Sequence, residues 1–144
     1  MIILKTDDIN SQIYQDALAI RKQVFVAEQN IPETIEISEE NQAVYFVSYN
    51  HLKQPLGTCR IKLVANNTYK IQRFAVLKSA RKRHIGTRLL EAVESYAKSK
   101  HVTAIKLEAQ CSAQGFYERC HYNPTSDIFY EAGIPHQEMK KELV

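Results

Sequence analysis

Residues 73–100 read RFAVLKSARKRHIGTRLLEAVESYAKSK, and three kinds of local order follow one another in them. Arg73-Phe74-Ala75-Val76-Leu77 has the alternating character of a strand. Ile85, Leu89, Val93 and Ala97 make a four-spaced apolar line, widened by Leu90 and Tyr96. That pattern predicts a helix over about 86–100, with Lys98 and Lys100 placed to complement its C-terminal end. Between strand and helix lies a turn with Lys78, Arg81, Lys82, Arg83 and Arg88 in eleven residues. The first amides of a helix have no intrahelical partner and carry the positive end of the dipole. A basic turn folded over them is a concave cradle for pyrophosphate, and Gly86 leaves the phosphates room that a Cβ would take. The stretch is neither a P-loop nor a dinucleotide fingerprint, because both glycine patterns are absent.

Working outward, MIILK at the start reads as a strand, and Ile13 to Val26 as an amphipathic helix capped by Asn10 or Ser11. Residues 27–42, AEQNIPETIEISEENQ, lose periodicity and gather acids, which predicts a loop long enough to serve a site. AVYFVSYN and PLGTCRIKLV flank HLKQ as an antiparallel hairpin, and YKIQRFAVL extends it to a three-strand meander. TAIKLEA reads as a strand and SAQGFYERC as a short helix ended by HYNP. DIFYEAG and PHQEMKKELV are expected as two last strands, joined through Gly133 and Pro135. The sum is an α/β (α+β) chain, a mixed sheet with helices on it.

Composition bounds the alternatives. The 144 residues are 44 % hydrophobic and 24 % charged, with four Gly, three Cys and no Trp. These values exclude fibrous and disordered classes and suit one domain, expected over 1–144. No apolar run approaches a membrane span, and MIILKTDD lacks the layout of a secretion signal. Cys59, Cys111 and Cys120 show no paired spacing, which points to reduced thiols in the cytoplasm and to no metal site. Charge is uneven. Residues 1–50 carry eight acids against three bases, and residues 51–144 sixteen bases against eight acids. The basic turn suggests a phosphorylated partner, but it lacks the aromatic interleaving of a nucleic-acid surface, so no nucleic acid is expected.

The ordered motifs resemble the GCN5-related N-acetyltransferases, the GNAT family. Arg81-Lys82-Arg83-His84-Ile85-Gly86 overlays family motif A, Q/R-x-x-G-x-G/A, with His84 in place of the middle glycine. AIRKQVFVAEQNIP is similar to the LR-x-x-VF-x-x-EQ-x-x-P segment of the ElaA/YjcF-like branch. The branch's D-x-x-A-x-H becomes Glu40-Asn41-Gln42-Ala43-Val44-Tyr45. GTCRIKL and GFYERCHY resemble further segments, with His121 at a family glycine, and YEAGIPHQEM resembles the branch's closing E-x-G-I-P-H-x-x-M. The resemblance implies a mostly antiparallel sheet with a central splayed parallel pair. It implies acetyl-CoA as co-substrate, its pyrophosphate on the backbone of Arg81, Lys82, Arg83, His84, Ile85, Gly86 and Thr87, and its pantetheine arm along Phe74, Ala75 and Val76. Tyr117 takes the place of the family tyrosine near the thioester sulfur, the general acid.

Acetyl transfer to an amine also needs a base. Glu28, Glu108 and His136 are the candidates; an imidazole takes and gives protons near neutral pH, though a His beside a turn is also an ordinary structural residue. Arg60 and Arg73 are expected to hold a carboxylate or phosphate of the acceptor, or to pair with the acidic segment. Cys111 lacks a recognisable partner, which favours direct attack by the amine of a small-molecule acceptor over a covalent route. The alternatives are a non-catalytic acyl-CoA binder, motivated by the two histidines at glycine positions, and, further off, a nucleic-acid module. A homodimer is possible by analogy with the fold.

Overall fold

The computed structural model describes residues 1–33 and 40–144. The strands are β1 (Ile2–Thr6), β2 (Val44–Tyr49), β3 (Pro55–Ala65), β4 (Thr68–Val76), β5 (Ala104–Gln110), β6 (Asn123–Pro124), β7 (Phe129–Glu131) and β8 (Ile134–Glu142). The helices are α1 (Gln12–Arg21), α2 (Ile85–Ser99) and α3 (Gln114–Arg119). The strand order is β1-β2-β3-β4-β5-β8-β6, with β7 on β8. Pairings β1–β2, β2–β3, β5–β8, β6–β8 and β7–β8 are antiparallel, and β4–β5 is parallel. The expected acidic loop at 28–42 has its residues 34–39 outside the described residues.

The chain forms two compact units, Met1–Lys62 with Arg73–Val93, and Leu63–Gln72 with Glu94–Val144. In the first, Ser11 caps α1 by accepting the Tyr14 amide at 3.2 Å. The helix does not stay regular to Val26. From Lys22 to Glu28 it widens into a π-helical run, with the Gln29 amide on the Val24 carbonyl at 3.1 Å. The wider turn brings the adjacent residues Val24 and Phe25 inward together, where they join Tyr14, Ala17, Ile20, Tyr45, Val47 and Ala75 in one apolar cluster. It also leaves Glu28 at the end of a helix rather than in a loop. Gly57 is needed where α2 begins, since a Cβ there would meet Ile85 at 3.0 Å and Leu89 at 3.2 Å.

In the second unit β4 pairs with β5 over only four positions, Thr68↔Ala104 to Ile71↔Leu107. β5 carries on along β8 as far as Gln110↔His136. Two residues further along β4, Arg73 has φ 54°, a conformation that interrupts a strand as a bulge does. β7 and β8 close through Ala132 (φ 50°) and Gly133 (φ 75°), the two positive φ values of a two-residue type I′ hairpin. Pro135 therefore lies inside β8, opposite Tyr130, and not in the turn.

Candidate functional site

The first unit carries the turn. After β4 the chain makes a 3-10 turn at Lys78–Ala80, fixed by the Leu77 amide on Leu56 O (2.9 Å) and the Ala80 amide on Leu77 O (2.8 Å). Ala80 and Ile85 are buried and pin the two ends, while Arg81, Lys82, Arg83 and His84 between them are exposed. Lys82 (φ 65°) and His84 (φ 62°) stand in the left-handed region. His84 occupies its family glycine's place by accepting that conformation, at the energetic cost a side chain brings there. The Arg88 amide makes the first helical bond, to His84 O at 3.1 Å, so the amides of Ile85, Gly86 and Thr87 have no carbonyl within the helix. Lys82, Arg83 and Arg88 surround them with exposed positive charge. Upstream on β4, Ala75 is buried and Phe74 and Val76 are half-buried.

Arg81 is engaged elsewhere. Its Nε donates to Val76 O at 3.0 Å, and its two terminal nitrogens donate to the two Glu28 carboxylate oxygens at 2.9 and 2.8 Å. Those bonds hold the Glu28 carboxyl below its ordinary range. Glu28 is thus a weaker proton acceptor than a free carboxylate, which counts against it as the base.

Arg60 is buried and takes the second role read for it, pairing with the acidic segment. Its Nη1 meets Glu40 Oε2 at 2.6 Å, and Arg21 grips the same carboxylate at 2.6 and 3.2 Å. Tyr14 donates to Glu40 Oε1 at 3.0 Å, and Tyr45 donates to the Glu40 backbone carbonyl. Both arginines are 1 % exposed and Glu40 13 %. Burial alone would raise the Glu40 carboxyl, but the bonds and charges of Arg21 and Arg60 and the Tyr14 hydroxyl outweigh it and bring it to about 2. Tyr14 is pushed up to about 12 by burial and by that carboxylate. Glu40 and Tyr45, read in the sequence as departures from the branch's Asp and His, stand together here, with the Tyr45 hydroxyl on the Glu40 backbone carbonyl.

The second unit carries the remaining candidates. Glu108 on β5 accepts Lys70 Nζ from β4 at 2.8 Å. Burial raises the Glu108 carboxyl, but Lys70 and a hydrogen bond from Glu131 outweigh it, so it lies low. Glu131, at the end of β7, is raised by partial burial and by Glu108. His136 on β8 is 9 % exposed, and its ring stacks on Phe129 at 6.0 Å. Its Nδ1 is 2.7 Å from Ile134 O. A carbonyl oxygen only accepts, so Nδ1 carries the proton of that bond. Tyr117 is buried on α3, edge-on to Phe116 (5.0 Å) and to Tyr122 (6.1 Å). Tyr122 donates to Glu94 at 2.9 Å, and Lys141 binds the other oxygen at 3.0 Å. Arg73 is half-buried at the β4 bulge, in the first unit. Sequence reasoning missed Glu131 and Lys70. The signal for Glu131 was present in YEAGIPH, where a hairpin turn at 132–133 sets Glu131 opposite Ile134, one residue from Pro135-His136.

Among the described residues no group of three or more His, Cys, Asp or Glu has metal-site geometry, and no helix is long and apolar enough to cross a membrane. The acetyltransferase (GNAT) domain model matches residues 8–143. The chain belongs to the GNAT family. This GNAT acetyltransferase is 38 % identical to the uncharacterized protein YyaT of Bacillus subtilis, over 89 % of this chain and 88 % of that one. It is 36 % identical to the uncharacterized N-acetyltransferase YjcF of the same organism, over 92 % and 95 %, which places it in the ElaA/YjcF-like branch. A crystal structure of a Lactobacillus plantarum N-acetyltransferase superposes with a TM-score of 0.92 at 29 % identity, over 99 % and 98 % of the chains. An aminoglycoside 6'-N-acetyltransferase crystallised with coenzyme A shares the fold, with a TM-score of 0.76 at 16 % identity over 100 % and 98 %. The GNAT assignment makes this an acetyltransferase.

Proposed function

We propose that this GNAT enzyme transfers acetyl from acetyl-CoA to the primary amine of a small molecule, by direct attack in a ternary complex. The observation that carries the reading is the row of amides at Ile85, Gly86 and Thr87, which have no carbonyl within the helix, at the mouth of a basic turn. Those amides and the surrounding cations hold the pyrophosphate, and the backbone of Phe74, Ala75 and Val76 takes the pantetheine arm. The amine lone pair forms the new N–C bond while the thioester C–S bond breaks. The thiolate takes its proton from the Tyr117 hydroxyl, and the nitrogen gives its surplus proton to His136 Nε2. His136 is favoured over Glu28 and Glu108 because its acceptor atom is set by the Ile134 carbonyl, whereas both carboxylates are held in ion pairs. Arg73 remains the residue proposed to meet an anionic group on the acceptor. Three free thiols suit a cytoplasmic enzyme.

Native mass spectrometry with acetyl-CoA, then a thiol-release assay over a panel of amines, tests the reading. Binding with amine-dependent release is expected. Binding without release on any amine overturns the enzymatic part. Gly86→Glu sets a carboxylate beside the pyrophosphate, and an unchanged acetyl-CoA affinity in that variant overturns the site.

A further inference from the structure

The interior of the basic turn contains a mechanical problem that the binding reading leaves open. Lys82 and His84 both lie in the left-handed region, one residue apart, and neither is glycine. Each such residue carries a steric cost and persists only where its surroundings over-determine it. Ala80 and Ile85 are buried at the two ends. The Arg81 amide reaches back to Lys78 O at 3.5 Å and the Arg88 amide to His84 O at 3.1 Å, and the side chain of Arg81 ties the interior of the turn to a segment distant in sequence. Each guanidinium nitrogen donates one bond, Nε to Val76 O and the other two to Glu28. Such a fork matches a carboxylate in both distance and direction, as an ammonium does not. The far end of the tie is firm as well. Glu28 closes the π-helical run whose Val24 and Phe25 are buried, and the amides of Gln29, Asn30 and Ile31 bond back to that run at 3.1, 3.1 and 2.8 Å.

We propose that Glu28 is a positioning residue for the cofactor turn. Through a bidentate clamp on Arg81 it holds the backbone of residues 81–84 in the strained shape that presents the helix amides to a pyrophosphate. This rests on the reading that the turn binds acetyl-CoA. The first position of the motif then acts through its side chain on the protein, and phosphate charge is met by Lys82, Arg83, Arg88 and the amides. Glu28 takes no proton in the reaction; it sets donor affinity.

The test compares acetyl-CoA with acetyl-pantetheine, a donor without the pyrophosphate. Glu28→Gln, Arg81→Gln and the double variant are measured by titration calorimetry and steady-state kinetics, with thermal unfolding alongside. Each single variant is expected to weaken acetyl-CoA about tenfold with kcat at saturation within about twofold, and the double variant to lose no more than either single one. The kcat/KM for acetyl-pantetheine is expected to stay within about twofold. Equal losses with both donors, as general unfolding would give, overturn the proposal. So does a fall in kcat with a shifted pH profile, which would mark Glu28 as the base, and so does unchanged acetyl-CoA affinity in Glu28→Gln. If the wild-type protein binds acetyl-pantetheine but not acetyl-CoA, the phosphate site itself is wrong and the clamp falls with it.

Discussion

Two charge clusters, one in each compact unit, are built on opposite terms. In the first, Arg21, Glu40 and Arg60 are almost wholly removed from water, and one carboxylate is gripped by two guanidinium groups and the Tyr14 hydroxyl. In the second, Lys70, Glu108 and Glu131 are partly solvated, and His136 donates from Nδ1 to the Ile134 carbonyl. Desolvation explains the contrast. Removing one partner of a buried ion pair strands a charge that water cannot reach. A half-solvated cluster tolerates an unsettled proton. The first cluster holds structure, and the second is where the proposed mechanism puts its base.

The contrast breaks most visibly if Glu40 proves dispensable. Glu40→Ala leaves two buried guanidinium groups without their carboxylate, and should cost about 3–5 kcal/mol in urea unfolding. A loss below about 1 kcal/mol would mean that the cluster is wetter than its burial indicates. The same group sharpens the contrast through pH. Its folded-state value of about 2 lies below the ordinary carboxylate range. The resulting stabilisation is therefore present above about pH 4.5 and is lost as pH falls towards 2. It amounts to about 3 kcal/mol, and Glu40→Gln should flatten that part of the stability-against-pH curve.

In the second unit the larger effects should fall on rate. Tyr117→Phe is expected to lower kcat about a hundredfold with acetyl-CoA affinity unchanged, by calorimetry and steady-state kinetics. Glu131→Gln should cost less than about 1 kcal/mol of stability yet displace the pH–rate profile, which sets it apart from Glu40. The smallest effect belongs to the backbone. His121 has φ 73° where the family has glycine, and His121→Gly should raise stability by about 0.5–1 kcal/mol, the relief of the left-handed cost less glycine's added unfolded-state entropy. A thermal unfolding series with His84→Gly would show whether the two histidine positions carry the same strain.

Much of the fold was legible because it rests on short-range periodicity. The four-spaced line of α2, the alternation of β2 and β3 and the glycine-containing hairpin before β8 each need only a few neighbouring residues to be read. The π-helical widening at Lys22–Glu28 was not legible, since an extra residue per turn is settled by what the helix packs against. Arg60 shows the same limit in the site. It stands in the apolar-alternating GTCRIKLV, and only its partner twenty residues earlier explains why a charge faces inward. Glu28 and Arg81, 53 residues apart, were assigned separate roles for the same reason.

By itself the sequence determined one order of elements, a basic turn opening a helix, and the ordered motifs of an acetyltransferase, because local pattern and motif spacing are properties of the chain. The tertiary structure alone decided which charges are shared. It set Arg81 on Glu28, Arg60 on Glu40, Lys70 on Glu108 and the His136 ring on the Ile134 carbonyl. Each of these depends on a contact whose distance falls off within a few ångströms, and only folding brings most of those partners into range.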